Sequence, residues 1–291
     1  MALADVVLLL ANALYATSYV PIRVVLADVP PATLAFLRLA LGWLVLLPLG
    51  RPRVPAPAST ADQALLIAMG VAGFAAPYAL INLGMAESTA THAALLVIVE
   101  PMTLILLSPL FLGERLRGLE VAGAVLALVG GACVVVNGIP GVSAAILPHG
   151  RGDALIVLAG VAFASYSLLG RPLLHRHDAL TVTSRSIVWG AVAMAPFALH
   201  EWITGARAAW TATAVVGTLY LAVAITAVGY LVWNWALARV QAPRAAIFLN
   251  VQPLGGALLG VFVLGETATV FTVVGAVLIV AGLCMTIQRK A

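Results

Sequence analysis

Apolar residues gather in ten runs separated by short polar stretches, at about 4–25, 32–49, 63–83, 90–112, 118–137, 153–173, 180–199, 209–236, 243–264 and 269–287. Each run is close to the ~20 residues an α-helix needs to cross a bilayer. None alternates apolar and polar positions as a barrel strand does. A helix satisfies its own backbone hydrogen bonds in hydrocarbon, so all ten are predicted to be helices. The connections are short and carry breakers: Pro30-Pro31, Arg51-Pro52-Arg53 and Gly138-Ile139-Pro140-Gly141. No basic segment precedes the first run and no small-residue cleavage site ends it, which points to a retained first span rather than a signal peptide.

The pattern repeats. Residues 78–136 slide by 152 positions onto 230–288 without a gap, and 19 of the 59 pairs are identical. Tyr78 falls on Tyr230, Asn82 on Asn234, Pro101 on Pro253, Gly113-Glu114 on Gly265-Glu266, Gly123 on Gly275 and Gly130 on Gly282. With an offset of about 148 the first run resembles the sixth: Ala16 meets Ala164, Thr17 meets Ser165 and Arg23 meets Arg171, while Arg38 corresponds to Arg185 within a residue. The expectation is an all-α membrane protein of ten transmembrane helices. It comprises a first five-helix repeat at 1–137, an extracytoplasmic linker at 138–151 and a second repeat at 152–291. Five is odd, so the second copy enters the membrane inverted, and paired inverted repeats around one central site are the build of a transporter.

Composition fixes the solvent. The chain is 63% hydrophobic and 9% charged, against about 25% charged in soluble domains. Its formal charge of +4 does not point to nucleic acid, because the arginines lie singly in loops and form no basic face. They do set an orientation. With the N-terminus cytoplasmic, ten of the fifteen basic residues fall inside: Arg51, Arg53, Arg115, Arg117, Arg171, Arg176, Arg239, Arg244, Arg289 and Lys290. Only Arg23, Arg151 and Arg207 fall outside, so both termini are expected in the cytoplasm. Cys133 and Cys284 lie in apolar runs and read as small buried hydrophobes.

Several segments carry a family resemblance: Tyr15-Ala-Thr-Ser-Tyr-Val-Pro-Ile-Arg23, Pro30-Pro-Ala-Thr-Leu-Ala-Phe-Leu-Arg38, and above all Ala86 through Glu114, repeated at Ala238 through Glu266. Over nearly its full length the chain resembles the EamA-type branch of the drug/metabolite transporter superfamily. The resemblance implies a ten-helix inverted-repeat carrier of a bacterial inner membrane, mainly an exporter of amino acids or related metabolites. One departure is Gln252-Pro253, where the family often has Glu-Pro.

The candidate substrate-binding residues are polar or aromatic groups that lipid tolerates poorly. Asn12, Tyr15 and Tyr19 share a face at i, i+3 and i+7, and Tyr78 and Asn82 stand at i, i+4, repeated by Tyr230 and Asn234. Trp233, Asn250 and Gln252 lie near the repeated pair or in the following span. Amide and phenol groups suit the ends of a zwitterion, and rings suit its apolar side chain. Each tyrosine also fits an interfacial anchor. Glu100 sits near the middle of the fourth span, where a carboxylate costs about 2.5–3.5 kcal/mol on insertion scales. It reads either as a proton-coupling or amine-binding group, or as a structural partner for carbonyls left unpaired around Pro101. Pro101 and Pro253 are candidate hinges, fixed kinks being the alternative. Glycines 123, 130, 255, 256, 260, 275 and 282 suit close helix contact. Arg38 and Arg185 can snorkel, form structural pairs or bind a substrate carboxylate. His149, His175, His177 and His200 are expected solvated in loops, and His92 opens the fourth span.

No metal-ligand or nucleophile–base motif is present, no nucleotide-binding loop, and no cofactor is expected. The partners implied are a small-molecule substrate and the bilayer; the oligomeric state stays open, a monomer included. The reading that results is a secondary exporter of neutral amino acids, aromatic ones included, working by alternating access. The rivals are a carrier of sugar phosphates or amphipathic drugs, the former wanting more cavity cations, and a non-transporting receptor or scaffold.

Overall fold

The computed structural model describes residues 3–49, 59–113, 118–136, 149–240, 242–249 and 251–287. Asn250, Glu114, linker residues 138–148 and the inner-loop residues Arg51, Arg53, Arg115, Arg117, Arg289 and Lys290 lie outside the described residues.

All regular structure among the described residues is helical. The first apolar run folds as α1 (Leu3–Ala16) and α2 (Tyr19–Val25), and the second as α3 (Pro31–Leu46) with a 3-10 turn to Leu49. The third is α4 (Thr60–Gly70), a π-helical turn at Val71–Ala75 and α5 (Ala76–Glu87); the fourth is α6 (Ala90–Leu96) and α7 (Val99–Leu112). Then come α8 (Gly118–Val136), α9 (Gly150–Leu174) and α10 (Ala179–Ile203). The eighth run is α11 (Ala212–Tyr220), a π-helical segment at Leu221–Gly229 and α12 (Tyr230–Leu237). The last two hold α13 (Ala242–Leu249), α14 (Val251–Leu264) and α15 (Val270–Ile287).

Seven of these stretches are long and apolar enough to cross a membrane: Leu3–Val25, Pro31–Leu49, Thr60–Glu87, Ala90–Phe111, Gly150–Leu174, Ala179–Ile203 and Ala212–Leu237. Shorter apolar helices run over Val121–Val134, Val251–Leu264 and Val270–Gly282. Large apolar side chains such as Leu110, Phe262 and Val270 face outward and are more than three-quarters exposed. A surface so dense in them belongs against lipid, not water.

Hydropathy predicts single rods where the structure has breaks. α1 stops at Ala16 and α2 starts at Tyr19, and α6 stops at Leu96 and α7 starts at Val99. In both cases a proline sits at the third position of the new helix: Pro21 and Pro101. A proline ring collides with the carbonyl four residues back and offers no N–H to it. Those carbonyls belong to Thr17 and Val97, at the breaks themselves. α9, the counterpart of α1–α2, has Leu169 where Pro21 would repeat and runs unbroken.

Small residues and caps hold the ends. α8 and α15 cross on glycines: a Cβ added at Gly130 would lie 2.6 Å from the Gly275 carbonyl oxygen, and one at Gly282 would collide with the Gly123 carbonyl oxygen. The repeated Leu-Gly-Glu motif has a mechanical reading. Gly113 and Gly265 end α7 and α14 at φ of 68° and 66°, the left-handed region that glycine enters without strain. The Glu266 carboxylate then accepts hydrogen bonds from the Ala90 and Thr91 N–H groups at 2.8 and 2.7 Å, capping α6. Glu201 does the same for α3 through the Ala32 and Thr33 N–H groups. Two arginines reach the last turn of a facing helix: Arg23 Nη1 donates to the Met85 carbonyl at 2.8 Å, and Arg171 Nη1 donates to the Leu237 carbonyl. These partners correspond under the repeat offsets.

His175, just past α9, is exposed as expected, and His200 is exposed but lies in the last turn of α10 rather than a loop. His177 is part-buried, with Nε2 3.0 Å from Asp62 Oδ2, and His149 Nδ1 pairs with the Glu87 carbonyl at 2.9 Å. His92 is buried, its Nδ1 3.0 Å from Asp153 Oδ2, and Ser88 Oγ donates to the other oxygen of that carboxylate. The partners of His92, His149 and His177 are ones that spacing alone does not disclose.

Candidate functional site

The broken helices surround a cavity. Its empty space is about 620 Å³, the open mouth included, and it is lined by Tyr15, Ser18, Tyr19, Ile22, Arg38, Tyr78, Ile81, Val97, Glu100, Phe163, Tyr166, Ser167, Ile225, Tyr230, Trp233, Leu249 and Gln252. Fourteen of the seventeen are repeat partners of one another: Tyr15 with Phe163, Ser18 with Tyr166, Tyr19 with Ser167, Tyr78 with Tyr230, Ile81 with Trp233, Val97 with Leu249 and Glu100 with Gln252.

One wall is aromatic. Phe74 anchors it, with ring centroids 4.7 Å from Tyr166, 4.6 Å from Tyr230 and 5.8 Å from Tyr78, while Tyr15 stands 5.5 Å from Tyr230 and Phe163 6.0 Å from Tyr78. Most of these phenols are committed. Tyr166 Oη accepts from Asn234 at 2.6 Å, and Tyr78 Oη lies 3.1 Å from Thr226 Oγ1. The Tyr15 hydroxyl is buried and makes no hydrogen bond.

The polar wall is unequal. Gln252 is held on both sides: its Oε1 accepts from Tyr19 Oη at 3.3 Å, its Nε2 donates to Asn12 Oδ1 at 2.9 Å, and Asn12 Nδ2 donates to the Leu8 carbonyl. Glu100, its repeat partner, has no side-chain hydrogen bond or ion pair among the described residues. Arg38 is 3% exposed, its guanidinium carbon 4.1 Å above the Tyr78 ring, and its Nε and Nη1 atoms have no hydrogen-bond partner. A buried guanidinium with idle donors is costly and marks a place where a partner is expected.

This architecture matches known proteins. The model of the EamA-like transporter family fits the chain twice, over residues 2–136 and 150–288. The chain belongs to the EamA-like transporter family. It is similar, at 30% identity over 97% of this chain and 92% of the relative, to a probable terminal-alkyne amino-acid exporter of Streptantibioticus cattleyicolor. A probable amino-acid metabolite efflux pump of Escherichia coli strain K12 is 28% identical, over 96% of this chain and 92% of its own. An uncharacterized transporter of Archaeoglobus fulgidus is 28% identical over 98% of this chain and 99% of its own. A solved crystal structure shares the fold with a TM-score of 0.69 at 20% identity, covering 98% of this chain and 96% of that one.

Within this EamA-like transporter, seven of the residues singled out from sequence line the cavity together: Tyr15, Tyr19, Tyr78, Glu100, Tyr230, Trp233 and Gln252. Asn12, Asn82 and Asn234 do not. Asn12 stands behind Gln252, Asn82 donates to the Pro31 carbonyl at 2.9 Å, and Asn234 donates to Tyr166 and Thr183. Asn250 is outside the described residues. Phe163, Tyr166 and Ser167 were not singled out, although the offset of 148 carries Tyr15, Ser18 and Tyr19 directly onto them. Pro101 lies just past the helix break at Val97–Ile98, beside the lining residues Val97 and Glu100, and Pro253 follows the lining residue Gln252 in α14.

Proposed function

We propose that this protein is a secondary transporter that exports neutral amino acids, aromatic ones included, across a bacterial inner membrane by alternating access. The observation that carries the reading is a cavity walled by repeat partners. Ten transmembrane helices in two inverted five-helix repeats, 1–137 and 152–291 about a linker at 138–151, account for it. The seven long apolar stretches and three shorter ones, the family match in two halves, and the paired Arg23–Met85 and Arg171–Leu237 contacts support that arrangement. Both termini are cytoplasmic on the balance of loop charge. Pro101 and Pro253 serve as hinges of two gates.

The aromatic wall supports bulky apolar side chains, and the names of the relatives support amino acids and an outward direction. A single cation among the lining residues argues against phosphorylated sugars, which need several. The test is uptake by purified protein in liposomes with a panel of labelled amino acids. Saturable flux of phenylalanine, tryptophan and leucine is the expected result. Folded protein that moves none of them would overturn the substrate reading.

A further inference from the structure

We infer that Arg38 and Glu100 are the two charged poles of a zwitterion site, the guanidinium taking the α-carboxylate of the substrate and the glutamate taking its α-ammonium. The inference rests on the amino-acid reading above and deepens it.

Three observations carry it. First, both groups line one cavity without pairing with each other, since no N–O approach within 4.0 Å joins them. Opposite charges left apart in a low-dielectric space attract a ligand whose own charges complete both pairs. A zwitterion does so with no change in net charge, whereas a simple amine or acid satisfies one pole and leaves the other bare.

Second, two donors are idle. Arg38 is 3% exposed, and its buried Nε and Nη1 lack any hydrogen-bond partner among the described residues. Its guanidinium carbon stands 4.1 Å from the centre of the Tyr78 ring. A guanidinium is the shape that meets a carboxylate in two parallel hydrogen bonds.

Third, the repeat isolates these two residues. Their partners carry no equivalent function in the cavity: Arg185 is not among the lining residues, and Gln252 is neutral and already bonded to Tyr19 and Asn12. Both poles therefore come from the first repeat and define one orientation for the ligand. The second repeat faces them with Tyr230 and Trp233, which suit an apolar side chain.

The experiment uses three ligands with one ring: phenylalanine, phenethylamine, which lacks the carboxylate, and 3-phenylpropionate, which lacks the ammonium. Each is titrated against full-length purified protein, reading the ligand-induced rise in melting temperature, and as a competitor of labelled phenylalanine uptake in liposomes. Wild type should bind phenylalanine roughly 10- to 100-fold more tightly than either analogue, the loss of one charge-assisted contact. Arg38→Gln should drop phenylalanine to the level of phenethylamine and leave phenethylamine within about twofold. Glu100→Gln should drop phenylalanine to the level of 3-phenylpropionate and leave that acid unchanged.

Equal binding of all three ligands by wild type overturns the inference, as does an Arg38→Gln variant that weakens phenylalanine and phenethylamine alike, which marks a purely structural arginine. If Arg38→Gln does not fold, Arg38→Lys should keep phenylalanine ahead of phenethylamine by a smaller margin, and an unchanged margin overturns the bidentate role. Phenylalanine binding that both substitutions leave untouched sinks the two poles and spares the amino-acid reading. Absence of binding and flux for every amino acid sinks that reading itself.

Discussion

Asn234 shows how much one buried amide holds. Its nitrogen donates to the Tyr166 hydroxyl at 2.6 Å and to Thr183 Oγ1 at 2.7 Å, and all three side chains are buried. Replacement by leucine removes the amide donor from the Tyr166 hydroxyl, at about 1–3 kcal/mol, while Thr183 Oγ1 keeps its bond to the Ala179 carbonyl. Asn234→Leu is expected to melt several degrees below wild type and, by freeing Tyr166 to turn in the aromatic wall, to weaken phenylalanine binding without touching the ligand. Thermal unfolding with and without phenylalanine separates the two effects; an unchanged melting temperature would mean that the hydroxyl finds another partner. The same residue shows what sequence can say about a site. Helical spacing gives the direction in which a side chain points, and it placed Tyr15, Tyr78 and Tyr230 correctly on inward faces. It does not give depth. Asn12, Asn82 and Asn234 point inward too, but each is consumed by a protein partner before the cavity begins.

Among elements, the proline breaks matter most. Apolar runs were legible because lipid permits little else, and the ten predicted positions coincide with helices. Hydropathy is blind to backbone hydrogen bonding, so the first and fourth runs, each a pair of helices, looked continuous. Proline alone does not place such breaks, since Pro109, Pro172 and Pro196 lie inside continuous helices. Pro101→Ala removes the collision with the Val97 carbonyl and returns an N–H that can bond it. The substitution should join α6 to α7 and stiffen that gate. The maximal transport rate is expected to fall several-fold with the half-saturating concentration held within about twofold, because the lining side chains stay in place. An unaltered rate would reduce the break to a fixed feature of cavity shape. Caps escaped detection for a different reason: Glu266 and Ala90 are 176 residues apart, and nothing local relates a glutamate after one helix to the bare N–H groups of another.

At the scale of the whole molecule, the paired arginines have a consequence for how the chain enters the membrane. Arg171 fastens the carbonyl of Leu237 at what is proposed as the cytoplasmic end, and Arg23 fastens that of Met85 at the opposite end. A scaffold that uses the same fastening on both faces is nearly indifferent to being turned over. Its proposed orientation then rests on the balance of basic residues, ten on one side against three on the other, Arg171 and Arg23 among them. Shifting that balance, by neutralising Arg51, Arg53, Arg115 and Arg117 and adding four lysines beside Arg151 and Arg207, should yield a mixed population in cells. Labelling of a cysteine placed at the C-terminus by a membrane-impermeant reagent reads the fraction reversed; complete protection would show that the helices themselves impose the orientation.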